Sequence, residues 1–108
     1  MKVRILLVLM LVLAVPALLA AGGDAEAGKA LFKKKCTVCH GKDGTGNPKI
    51  AKMLKVELKP LGGADVQGQK DSALAKIIKG GSGKMKPVKK LSDSDIANII
   101  AFVRTLKK

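Results

Sequence analysis

The sequence predicts a small all-α domain, and three observations carry that prediction. Its 108 residues fit one domain. Ile96, Ile99, Ile100 and Val103 recur at i, i+3, i+4 and i+7, the stripe of a helix with one buried face. No segment shows a strand alternation of comparable strength, and helix-start and helix-stop residues punctuate the rest.

The chain opens with Lys2 and Arg4, followed by an uninterrupted apolar run from Ile5 to Ala21 and by small residues at Ala20, Ala21, Gly22 and Gly23. That is the layout of a secretory signal, with residues 1–22 as leader, cleavage between 20 and 23, and residues 23–108 as the mature domain. The run is also at the short limit for a spanning helix, so an uncleaved anchor is the competing reading. Pro16 near its end favours cleavage. The protein is therefore expected to be exported, periplasmic in a bacterium, or else membrane-anchored facing that compartment.

Within the mature part, Asp24 caps a first helix expected to run to about Lys35. Asn47-Pro48 reads as cap and first helical position of a short helix with Ile50, Met53 and Leu54 on its inner side. Lys59 to Gln69, with Pro60, Gly62, Gly63 and Gly68, reads as loop. A third helix starts near Asp71-Ser72, buries Leu74, Ile77 and Ile78, and stops at Gly80-Gly81. Ser92 caps the last helix, which places Asp93 and Asp95 in its first turn and Arg104, Lys107 and Lys108 at its end, as the helix dipole favours.

The chemistry is concentrated at Cys36-Thr37-Val38-Cys39-His40. Cys-X-X-Cys-His is the spacing of a c-type haem attachment site. Residues i, i+3 and i+4 share a helix face, so two thiols can add to the two haem vinyl groups while the adjacent imidazole reaches the iron. Competing readings explain less. A thioredoxin-like pair wants a preceding strand, whereas the residues before Cys36 look helical. Tetrahedral zinc wants four ligands, and two Cys and the single His are all that this locus offers. A disulfide would close a very small loop and leave His40 unexplained.

A second iron ligand must come from elsewhere, because His40 is the only histidine. Once the leader is gone, Met53 and Met85 are the methionines left. Met53 reads as helix core filler. Met85 lies in Gly80-Gly81-Ser82-Gly83-Lys84-Met85-Lys86-Pro87, a loop able to cross to the opposite haem face, and is the favoured ligand. If neither ligates, the iron has an open position and the protein is a haem enzyme or gas sensor. Against that, no second His supplies a distal acid/base group, and Asp43, Glu57 and Asp65 read as surface carboxylates.

At these residues the chain resembles the small class I c-type cytochromes with one haem. The resemblance spans essentially the whole mature sequence: GKALF before the motif, CTVCHG, GTGNP, GKMKPV and LSDSDIANIIAFVRTL. It implies about four helices wrapped around one covalently bound haem c, with thioethers at Cys36 and Cys39, His40 as proximal and Met85 as distal axial ligand. The family's axial Met is often followed directly by Pro, whereas Lys86 intervenes here. The resemblance further implies that the Pro48 carbonyl orients the His40 ring and that Gly28 and Phe32 cross the last helix near Phe102. Ile50 and Leu54 are expected to add apolar wall to the haem environment. The implied function is single-electron transfer between exported redox partners, with no catalysis. A membrane-anchored electron-entry subunit of an oxidoreductase is the variant that the anchor reading would feed.

Charge narrows the partners. The chain carries 21 Lys plus Arg against 8 Asp plus Glu, a net of +13. Nine Lys lie between Lys29 and Lys59 and six between Lys76 and Lys90, so both ligand segments are embedded in positive charge. A basic ring around the haem edge would steer redox proteins with acidic docking surfaces, though the same charge also serves solubility. Specific nucleic-acid binding is disfavoured by the export signal, the motif and two Phe as the whole aromatic complement. Anionic lipid headgroups remain as weak, nonspecific partners. A monomer is expected.

Overall fold

A computed structural model describes residues 23–108; the leader expected over residues 1–22 lies outside them. The described residues form six helical elements and no strand: α1 (Ala25–Lys35), α2 (Thr37–His40), α3 (Pro48–Leu54), α4 (Ala64–Gln67), α5 (Asp71–Gly80) and α6 (Asp93–Thr105). α2 and α4 are four residues each, which leaves four longer helices, as expected.

Local chemistry fixes the ends. The Asp24 side chain accepts from Glu26 N and Ala27 N to start α1. Ser92 and Asp95 form a reciprocal capping box at the start of α6, satisfying two backbone donors that would otherwise have no partner. Asn47 caps α3 with Pro48 in its first turn. Gly81, at φ +82°, ends α5 in a conformation that side chains other than glycine's resist.

The core is the crossing of α1 with α6. Phe32, Ile99, Phe102 and Val103 form one buried cluster, with the two phenyl rings tilted and their centroids 5.1 Å apart. Leu74 of α5 packs with Ile96 and Ile100 in a second cluster on the same α6 stripe. Close approach is possible because Gly28 lies directly on the α6 backbone, where a Cβ would strike the Asn98 carbonyl. Asn98 Oδ1 also accepts from Asp24 N at 2.8 Å, pinning the start of α1 to the middle of α6.

Two expectations need correction. Lys59 to Gln69 is not all loop: it contains the single turn α4, held by α6 rather than by its own sequence. Gln67 Nε2 donates to Leu61 O and Val103 O, and the Arg104 guanidinium donates to Gln67 O, Gln69 O and Asp71 Oδ1. Met53 is not on the inner side of α3; it is 68% exposed. Leu54 turns toward the interior, and Met53, its neighbour in sequence, lies 100° away round the helix.

Candidate cofactor site

Cys36 joins two helices. Its N–H donates to Phe32 O at the end of α1, and its carbonyl accepts from Cys39 N and His40 N at 3.3 and 3.0 Å. Both cysteines and the imidazole therefore sit on one helical turn, held at its root by Phe32, a buried core residue. The chain then runs through Gly41, Gly44 and Gly46, all at positive φ, and returns to α2 at Gly46 and Asn47.

The turn opens onto two apolar cavities of about 490 and 270 Å³ that share part of their lining, the larger within the range of small-molecule sites. Both are lined by Cys36, His40, Leu58 and Met85. Cys39, Leu54, Val56 and Val88 complete the outer wall with Lys35, Lys84 and Lys86 at its polar fringe; Leu61, Val66, Leu74, Ile78 and Ile99 form the inner wall. Met85 is presented by a tight turn in which Ser82 and Met85 exchange backbone hydrogen bonds of 2.9 and 2.8 Å. Val88 N donates to Ile78 O at 2.9 Å, tying the end of that loop to α5.

Of the expected site residues, Cys36, Cys39, His40, Leu54 and Met85 are brought together. Pro48 and Ile50 line neither cavity. The hydrogen bond expected from His40 to the Pro48 carbonyl is not formed either, since the buried His40 Nδ1 has no partner. Pro48 is the first residue of α3, so its carbonyl points along the helix toward the N–H four residues on. Leu58, Val56 and Val88 escaped sequence reasoning because they lie in irregular segments that carry no periodicity. Met53 lines neither cavity.

The electrostatics suit a soft metal macrocycle better than thiol chemistry. Burial, and secondarily the neighbouring Cys39, push the Cys36 thiol up to about 11, the opposite of what a reactive thiolate requires. Burial lowers the pKa of His40, so at neutral pH its imidazole is uncharged and has a lone pair to give. Among the described residues no cluster of three or more His, Cys, Asp or Glu could hold a bare ion. Two thiols on one turn, a neutral imidazole and a thioether around an apolar cavity fit haem.

A helical domain built around such a turn and cavity defines a covalent haem protein of the c type. The family model described as cytochrome c matches residues 25–107, and the chain belongs to that family. It is 36% identical over 91 residues to cytochrome c-554(547) of Halothiobacillus neapolitanus, covering 79% of this chain and 99% of the relative. Its fold is similar to that of the KustC0563 c-type cytochrome, with a TM-score of 0.65, 27% identity and coverage of 75% of this chain and 98% of the other. Cytochrome cL from Hyphomicrobium denitrificans shares the fold with a TM-score of 0.61 at 24% identity, over 78% of this chain and 48% of that one. The protein is thus a haem c electron carrier with one attachment motif, and Cys36 and Cys39 have the spacing for the covalent link.

Proposed function

We propose that the protein is an exported single-electron shuttle whose haem c is ligated by His40 and Met85 and which docks on redox proteins with acidic surfaces. The observation that carries this reading is that His40 and Met85 line the same two apolar cavities. Haem c bound there supplies a one-electron change between ferrous and ferric iron, which needs no open coordination position.

The chain's own residues set the terms of that change. The neutral imidazole of His40 and the soft, uncharged thioether of Met85 favour the reduced state. Leu54, Val56, Leu58 and Val88 line the outer cavity and would shield bound haem from water, which would raise the cost of the extra positive charge on oxidation. Glu57 is the carboxylate that lines the inner cavity, and it is exposed to solvent. Lys35, Lys84 and Lys86 at the outer cavity supply the positive rim for encounter.

The test is spectroscopic. Acid acetone should leave haem on the polypeptide, and reduced and oxidised spectra should show low-spin iron. Met85→Ala should lower the potential and admit carbon monoxide or cyanide; Met53→Ala, on an exposed side chain, should do neither. Extractable haem, or the reverse pattern of the two methionines, would refute the assignment.

A further inference from the structure

Every polar group of Asn47 is bound. Its backbone N–H donates to Cys39 O at 2.9 Å and its carbonyl accepts from Ala51 N at 3.0 Å. Its side-chain Nδ2 donates to Val38 O at 3.2 Å, while Oδ1 accepts from Lys49 N at 3.0 Å and Ile50 N at 3.4 Å. The orientation of the amide is forced, because a carbonyl lies on one side of it and two N–H groups on the other. Two of these bonds end on Val38 and Cys39, the residues immediately before His40, and the other three end in the first turns of α3.

The need for such a device follows from the shortness of α2. The last four carbonyls of a helix have no partner inside it, and α2 is only four residues long. Gly41 N takes the Thr37 carbonyl, Gly46 N that of His40, Asn47 N that of Cys39 and Asn47 Nδ2 that of Val38. The segment between, with three glycines at positive φ, has little stiffness of its own to hold the turn.

We infer that Asn47 is a positioning residue for His40: it locks the last turn of α2 to the first turn of α3, so the direction of the imidazole is set by α3 rather than by the glycine-rich loop. The inference rests on His40 as an iron ligand. It also explains why this cap is Asn. Asp or Ser would cap α3 equally well but would offer Val38 O no amide donor, and Gln is one methylene too long to serve both ends.

The experiment uses the haem-loaded protein. Asn47→Asp and Asn47→Ser keep the α3 cap and remove the Val38 bond; Asn47→Ala removes both. Ser92→Ala, which removes a cap at the far helix α6, controls for stability loss alone. Each is measured by thermal melting, midpoint potential and the g values of the oxidised iron in electron paramagnetic resonance. All three Asn47 variants should shift the g values and the potential beyond the spread of repeat preparations, while Ser92→Ala lowers only the melting temperature. A folded Asn47→Asp with wild-type g values and potential would overturn the inference, as would an equal shift in Ser92→Ala. Failure of the ligand assignment would appear separately, in a wild-type spectrum that is not low-spin.

Discussion

Gly28→Ala should destabilise the protein although it improves helix propensity. Gly28 is buried in α1, and a methyl there would fall on the backbone of α6, with the Asn98 carbonyl well inside the 3.0 Å that real Cβ atoms respect and Ile99 N at 2.9 Å. Both are backbone atoms, so no rotamer change relieves the clash. One helix must retreat by more than an ångström, which separates Phe32 from Ile99, Phe102 and Val103. Overpacking of this kind costs about 1–3 kcal/mol and at a rigid contact more, whereas Gly to Ala inside a helix returns about 1 kcal/mol. Taking about 3 kcal/mol for the clash leaves a net loss of about 2 kcal/mol. In a domain of this size that lowers Tm by about 8–16 °C. Thermal melts of the holoprotein followed by far-UV circular dichroism measure it directly. An unchanged or raised Tm would show that the helices can part freely, and would refute the close crossing as the organiser of the core.

Three further outcomes follow from other parts of the molecule. Lys55 ends α3 at φ 57° and ψ 50°, where an L side chain is strained, so Lys55→Gly should raise stability by about 0.5–1 kcal/mol after glycine's larger chain entropy is deducted, read as a rise in Tm. Charge reversal at Lys84 or Lys86 should slow electron transfer to an acidic partner at low salt, while Lys107 or Lys108 reversal should not; a rate indifferent to ionic strength would reduce the lysines to a solubility role. Asp93 has its pKa lowered first by the hydrogen bond and then by the charge of Lys79, 2.8 Å away. Its contribution is therefore present above the ordinary aspartate value of 3.8 and lost as pH falls through the lower folded value, so the Tm gap between wild type and Asp93→Asn should close in that range.

How much of this was legible in the sequence depends on whether the signal was local. Asp24, Ser92 and the Ile96-to-Val103 stripe act within a few residues, and the helices they announce are where they were expected. The attachment turn was legible for the same reason, since its three groups lie within five residues. α4 was hidden because it is stabilised from 36 and 37 residues away by Val103 and Arg104, in a stretch whose glycines argue locally for loop. The exposed side of Met53 is not legible, because two helical turns are too short for periodicity to choose between neighbouring positions. Leu58 reaches the cavity from an irregular segment, with Gly46 packed against its Cβ, an arrangement that only the tertiary fold specifies.

The contact between Phe32 and Phe102 uses the entire aromatic content of the chain, which has no Trp and no Tyr. Phenylalanine is far harder to oxidise than tyrosine or tryptophan, so the polypeptide offers an oxidising equivalent no stepping stone on which to rest. Electrons would therefore tunnel in one step between cofactor and partner, and with no relay to shorten the path a partner behind α6 would exchange them more slowly than one at the cofactor's edge.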